Sequence, residues 1–153
     1  MSEINIHASC VALGTQGVLL LGPSGAGKSD LALRLIEGGA KLVADDRTLL
    51  FTRSGALHAK APASIKGLLE IRGVGIVKLP VRASIRIALV VRLGREGVRL
   101  PASQLYRLPA GLQLASPPPQ ISADARFAST PAKIRLALAA FSRDLFRDTF
   151  NTK

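Results

Sequence analysis

One octapeptide dominates the chemistry open to this chain. Gly22-Pro23-Ser24-Gly25-Ala26-Gly27-Lys28-Ser29 fits the pattern G-x-x-x-x-G-K-[ST]. Glycines reach backbone conformations that let consecutive N–H groups turn inward as an anion nest, and a helix following the loop adds its positive N-terminal end. In such a P-loop Lys28 reaches the β- and γ-phosphates of a nucleotide, and the Ser29 hydroxyl coordinates Mg²⁺. Asp45 and Asp46 follow at the end of an apolar run. Strand-end carboxylates supply the oxygen ligands that a phosphate–Mg²⁺ centre needs. Adjacent strand residues point to opposite faces, so one of the pair faces the reacting group unless the strand bends there. A plain strand–turn–helix corner and a polar Asp-Asp-Arg turn are the blander alternatives for these two segments.

Other polar residues carry weaker signals. His7 lies on an expected strand, where a lone histidine is by residue type alone a partly buried structural group. Cys10 reads as a small core residue, since nothing nearby lowers a thiol pKa, and His58 reads as a surface residue in a hairpin. Glu70 and Arg72 stand in a glycine-rich stretch. They are either a solvated pair or part of a segment whose backbone approaches something closely.

The elements that must position these groups follow from periodicity. Ile4, Ile6 and Ala8 alternate with polar residues and lead through Val11–Leu13 to a turn at Gly14. Val18–Leu21 is apolar throughout, as a strand buried on both faces must be. Leu31, Leu35 and Ile36 have helical spacing over Lys28–Glu37, and Gly38-Gly39 ends that helix. Lys41–Ala44 is a short strand; Thr48–Thr52 and Ala56–Ala59 flank Arg53-Ser54-Gly55 as a hairpin. Pro62, Gly67, Gly73 and Gly75 break the middle, Ile85–Leu93 is a strand, and Pro101–Pro119 is loop with one short strand at Leu112–Ala115. A last helix starts near Pro131, capped by Ser129 or Thr130, and runs through Ile134, Leu138, Phe141, Leu145 and Phe146. The sum is an α/β domain richer in strands than in helices.

Composition bounds the function. The 153 residues suit one domain, 1–153, and 48% hydrophobic content is too apolar for a disordered chain. Apolar runs fall short of a membrane span, and the N-terminal residues lack a secretory pattern, so a cytoplasmic protein with no membrane partner is expected. A lone cysteine excludes an internal disulfide and a cysteine zinc cluster. The net charge of +11 is uneven: residues 1–75 carry eight basic and six acidic side chains, residues 76–153 thirteen and four. That surplus favours an anionic partner or simply a solvated surface. With no Trp and one Tyr, stacking platforms are scarce and nucleic acid is not the expected partner.

Taken together, the P-loop, the Asp pair and Leu69-Glu70-Ile71-Arg72-Gly73-Val74-Gly75-Ile76 resemble the catalytic domain of HPr kinase/phosphorylase, with the similarity running from about Ile6 to Ile76. The resemblance implies a strand-rich P-loop fold of the HPr kinase C-terminal (PEP carboxykinase-like) type with a C-terminal helix, in a short form without the family's N-terminal domain. It implies ATP and Mg²⁺, the phosphocarrier protein HPr as partner, phosphorylation of an HPr serine with reverse phosphorolysis, and homo-oligomers, hexameric in the family. Position by position it makes His7 the active-site histidine, Lys28 the catalytic lysine and Ser29 the magnesium-binding serine. Asp46 becomes the carboxylate that takes the serine proton, with Asp45 beside it as support and oxygen ligand. Glu70 becomes the second metal-binding residue, and Arg72 lies in the signature linked to both activities. Arg107, in Tyr106-Arg107-Leu108-Pro109, resembles the later catalytic arginine. Thr130-Pro131-Ala132-Lys133 resembles the Pro-Gly-Arg region tied to dephosphorylation, with Lys133 where an arginine is usual.

Three rival functions fit parts of the pattern. A nucleotide-sensing module would bind ATP and a partner without transferring phosphate. A small-molecule kinase would need a closing lid, of which the sequence shows no obvious segment. RNA binding through the basic half would depend steeply on salt.

Overall fold

Val18–Leu21 is apolar at every position because the strand it forms is covered on both faces. In the computed structural model, which describes residues 2–95 and 97–147, that strand is β2 (Gln16–Leu21). Around it lie β1 (Ile4–Leu13), α1 (Lys28–Glu37), β3 (Lys41–Ala44), β4 (Arg47–Arg53), β5 (Ala56–Lys60), β6 (Leu68–Ile71), β7 (Gly75–Lys78), β8 (Ile85–Leu93), β9 (Gln120–Ala123) and α2 (Thr130–Arg143). Leu19 and Leu21 face one core with Ala8, Cys10, Leu50, Leu57, Ile87 and Val90. Val18 and Leu20 face a second core with Leu31, Leu35, Leu89, Val91, Ile134 and Leu138, where α1 and α2 pack. Period-two alternation on one strand thus serves two cores at once.

Seven strands form one sheet. β1 pairs antiparallel with β2, β3 and β4, β4 with β5 and β5 with β8, while β8 runs parallel to both β2 and β9. Because β2 also meets β8, the path β1–β4–β5–β8–β2 closes on itself, and the sheet curls around the first core. Gly17 is required where β2 enters this arrangement, since a Cβ there would stand 2.6 Å from Ile85 Cγ2 and 2.8 Å from the Arg86 carbonyl.

The order β3–β1–β2–β8–β9 decides where chemistry can occur. β3, β2, β8 and β9 all run the same way, with β1 antiparallel between β3 and β2. Their carboxyl ends share one edge, the side on which open α/β sheets bind ligands. The separate hairpin β6–β7 lies beyond the main sheet. This is the strand-rich α/β architecture with a C-terminal helix expected from the sequence.

Several local expectations need correction. Leu112–Ala115 forms no strand; Leu105 instead makes an isolated bridge to Pro119, and the strand of this region is β9, just past the segment expected as loop. The last helix ends at Arg143, where Asp144 adopts a left-handed conformation (φ 53°). Leu145 and Phe146 lie past that end, and the Phe146 ring packs on Phe141 with centroids 4.7 Å apart. Neither Ser129 nor Thr130 caps α2 through its side chain; Thr130 Oγ1 donates to the Asp124 carbonyl instead. The hairpin is as expected, with Ser54 and Gly55 both at positive φ, the signature of the tight turn that matches strand twist.

Candidate active site

At the shared edge β2 ends in Leu21 and the glycine loop turns the chain into α1. Gly27, the residue before the helix, has φ 98°, and a Cβ on it would lie 2.9 Å from Ala125 Cβ. Both the conformation and the close approach require glycine. Lys28 begins α1 and is buried, its Nζ donating to the carbonyls of Gly22 (2.7 Å) and Pro23 (3.1 Å). The lysine is thereby folded back over its own loop. Desolvation pulls its pKa below the ordinary lysine value, while the charges of Asp46 and Asp45 oppose that shift.

The two aspartates reach the loop by different routes. Asp45, at the end of β3, is buried, and its Oδ1 accepts from Ser9 Oγ (2.8 Å) and Ser29 Oγ (2.7 Å). Asp46 has φ 69°, a left-handed conformation uncommon outside glycine, and marks the bend that the alternation rule demands if both are to serve one site. Its Oδ1 accepts from His7 Nε2 at 2.8 Å, and its backbone N–H donates to Ser9 Oγ at 3.2 Å. A further bond from Ala8 N–H to the Asp46 carbonyl holds the bend against β1.

Five expected residues therefore come together: His7, Lys28, Ser29, Asp45 and Asp46. Gly22, Pro23, Ser24, Gly25, Ala26 and Gly27 complete the loop, with Ser24 and Gly25 exposed at its tip. Arg107 borders a neighbouring cavity of about 360 Å³ that is also lined by His7, Gly22, Pro23, Arg92 and Tyr106. Glu70 and Arg72 stand exposed on and just after β6, and no hydrogen bond or ion pair links either to the Asp45–Ser29 cluster among the described residues. Lys133 lies in the first turns of α2 with its Nζ 5.2 Å from the Phe127 ring centre.

Two participants escaped the sequence reading. Ser9 is fully buried and ties both aspartates together, yet a small residue between Ala8 and Cys10 looks like core. Arg92 interrupts the apolar run of β8 one residue before its end, and that break in periodicity was the available signal.

The donor set suits a hard cation. Ser29 Oγ and Asp45 Oδ1 lie side by side, and Mg²⁺ is commonly held by one or two protein oxygens together with phosphates and water. No group of three or more His, Cys, Asp or Glu side chains among the described residues forms an all-protein metal cage.

Fold and edge define a strand-rich α/β domain built round a glycine-rich turn between β2 and α1. The family model for the HPr Serine kinase C-terminal domain matches residues 1–100, and the chain belongs to that family. An HPr kinase/phosphorylase from a Thermoanaerobacter species is 42% identical over 99 residues, covering 60% of this chain and 32% of its own length. That of Brevibacillus brevis is 47% identical over 75 residues, covering 48% and 24%. The matched region thus spans about a quarter to a third of these curated relatives. Among solved structures, the Hpr(Ser) kinase/phosphatase from Coxiella burnetii shares the fold with a TM-score of 0.75 at 23% identity, covering 93% of this chain and 98% of that one. No helix among the described residues is long and apolar enough to cross a membrane.

Proposed function

We propose that this domain transfers the γ-phosphoryl group of ATP to a serine hydroxyl of the phosphocarrier protein HPr. The observation that carries the reading is the meeting of Lys28, Ser29, Asp45, Asp46 and His7 where the tips of β2 and β3 meet the middle of β1. Phosphoryl transfer asks a protein for positioning and charge neutralisation more than for covalent work. Backbone N–H groups of residues 22–29 and the Lys28 ammonium bind the phosphate chain. Ser29 and Asp45 hold Mg²⁺, with Glu70 as the further expected ligand; the ion supplies charge neutralisation on the phosphates. Asp46, its carboxylate oriented by the His7 N–H, accepts the serine proton as the serine oxygen bonds to phosphorus and the bond to ADP breaks. Arg107 and Arg72 offer guanidinium charge to the transferring group.

In the dephosphorylating direction an oxygen of inorganic phosphate bonds to the phosphoserine phosphorus as the serine oxygen departs and takes a proton from Asp46, and pyrophosphate is the product. A cytoplasmic setting and an assembly of several copies belong to the same reading. The test is to incubate the protein with ATP, Mg²⁺ and HPr and to map modification by mass spectrometry. A single phosphoserine on HPr is the expected product. Intact nucleotide affinity with no phosphoserine would point instead to a nucleotide-sensing module.

A further inference from the structure

The shared edge continues past the glycine loop to a turn that the transfer chemistry leaves unused. It follows β9 and runs from Asp124 to Phe127. Along the edge the aspartate pair lies on one flank of the loop, beyond β1. The turn lies on the other, beyond β8. It touches the loop directly, because bare Gly27 is what allows Ala125 to approach.

This turn is tightly held although the side chains of Arg126 and Phe127 are exposed. Arg34 of α1 donates to the carbonyls of Ala125 and Phe127, and Thr130 Oγ1 donates to that of Asp124. Asp124 is buried and accepts from Arg126 three times: from its backbone N–H (2.9 Å), from Nε (3.0 Å) and from Nη2 (2.7 Å). The Arg126 side chain nevertheless remains 83% exposed. A planar guanidinium is thus fixed in orientation while its faces stay open. Phe127, 44% exposed, adds apolar surface next to it.

We propose that this turn holds the nucleoside end of the nucleotide, with the Arg126 guanidinium plane stacking on the base. The inference rests on the reading of the glycine loop as a nucleotide-phosphate site. Ser29 is hydrogen-bonded to Asp45 on the β3 flank, and with Asp46 beside it as the proposed base, that reading puts the terminal phosphoryl group on this flank, where the acceptor hydroxyl must arrive. The phosphate chain of an extended ligand then leads away from that flank, toward β8 and β9. An immobilised guanidinium stacks on a π-face with little further loss of side-chain freedom, which a lysine cannot reproduce.

The test compares ATP with inorganic tripolyphosphate, which carries the phosphates without the nucleoside. Calorimetric titration of each in the presence of Mg²⁺ is performed on wild-type protein, Arg126→Ala and Arg126→Lys. Both variants are expected to bind ATP about tenfold more weakly and to bind tripolyphosphate as wild type does. Unchanged ATP affinity, or equal loss for both ligands, overturns the inference. Wild-type protein that binds neither ligand overturns the phosphate-loop reading beneath it. Independently of any variant, light-activated 8-azido-ATP should label a peptide containing residues 124–127; labelling confined to the 70–76 hairpin or to 105–109 contradicts the proposal.

Discussion

His7 Nε2 stands 2.8 Å from Asp46 Oδ1 although thirty-nine positions separate the two residues. The antiparallel register of β1 and β4 sets His7 opposite Arg47, and the left-handed turn at Asp46 brings its carboxylate back to the histidine. A carboxylate only accepts, so the imidazole must present Nε2–H, and the contact fixes both the tautomer and the direction of the free carboxylate oxygen.

Removing that orientation should cost rate more than stability. With the side chains 34% and 67% exposed, the pair contributes about 0–1 kcal/mol to folding. His7→Ala is expected to lower kcat by roughly tenfold to a hundredfold, toward the lower end of what a positioned acid–base group supplies, with an almost unchanged melting temperature. Steady-state kinetics and thermal melts on one preparation check both halves.

Ser9 should behave in the opposite way. Its hydroxyl is fully buried, donates to Asp45 and accepts from the Asp46 N–H. Ser9→Ala strands part of a buried carboxylate and a backbone donor, a loss of about 1–3 kcal/mol. Urea unfolding measures it, and the variant should also transfer phosphate more slowly because both aspartates lose an anchor.

Why Ser9 was hidden and Lys28 was plain is a matter of how each residue acts. Glycine spacing, a preceding apolar strand and a following amphipathic helix are local signals, and the β2–loop–α1 unit folds as they indicate. Ser9 matters only through partners about 36 positions away. The convergence of Asp45 with Asp46 depends on one positive φ that no aspartate pair announces. β9 is not legible in the sequence because four residues after a proline run carry too short a pattern, and they become a strand by pairing with β8. The final helix is shorter than its apolar spacing suggests for a converse reason. Leu145 and Phe146 keep apolar spacing after the helix stops, since Phe146 still packs on Phe141. His7 looks like any strand histidine in isolation, and only the family resemblance marked it.

Acid should expose the Asp124–Arg126 clamp. Hydrogen bonds from the Arg126 side chain, then from its backbone N–H, hold the Asp124 carboxyl down to about 2. A depressed carboxyl stabilises the fold fully above its ordinary range near 3.8 and loses that contribution as pH falls through about 2. Between pH 4 and pH 2 the wild-type melting temperature should therefore drop more steeply than that of Asp124→Asn, which has no such proton to take up. Melting curves across this interval give the comparison, and parallel slopes would show that the clamp contributes nothing.

The central claim is that Asp46 primes an acceptor hydroxyl beside phosphates gripped by the glycine loop. Asp46→Asn tests it most directly, because the amide nearly preserves shape while removing the base. Transfer of label from γ-labelled ATP to HPr should fall by about 10²–10⁴-fold, while the affinity for Mg²⁺-ATP measured on the same protein stays within about threefold of wild type. Full transfer by the asparagine variant, or loss of nucleotide binding in step with transfer, would contradict the assignment.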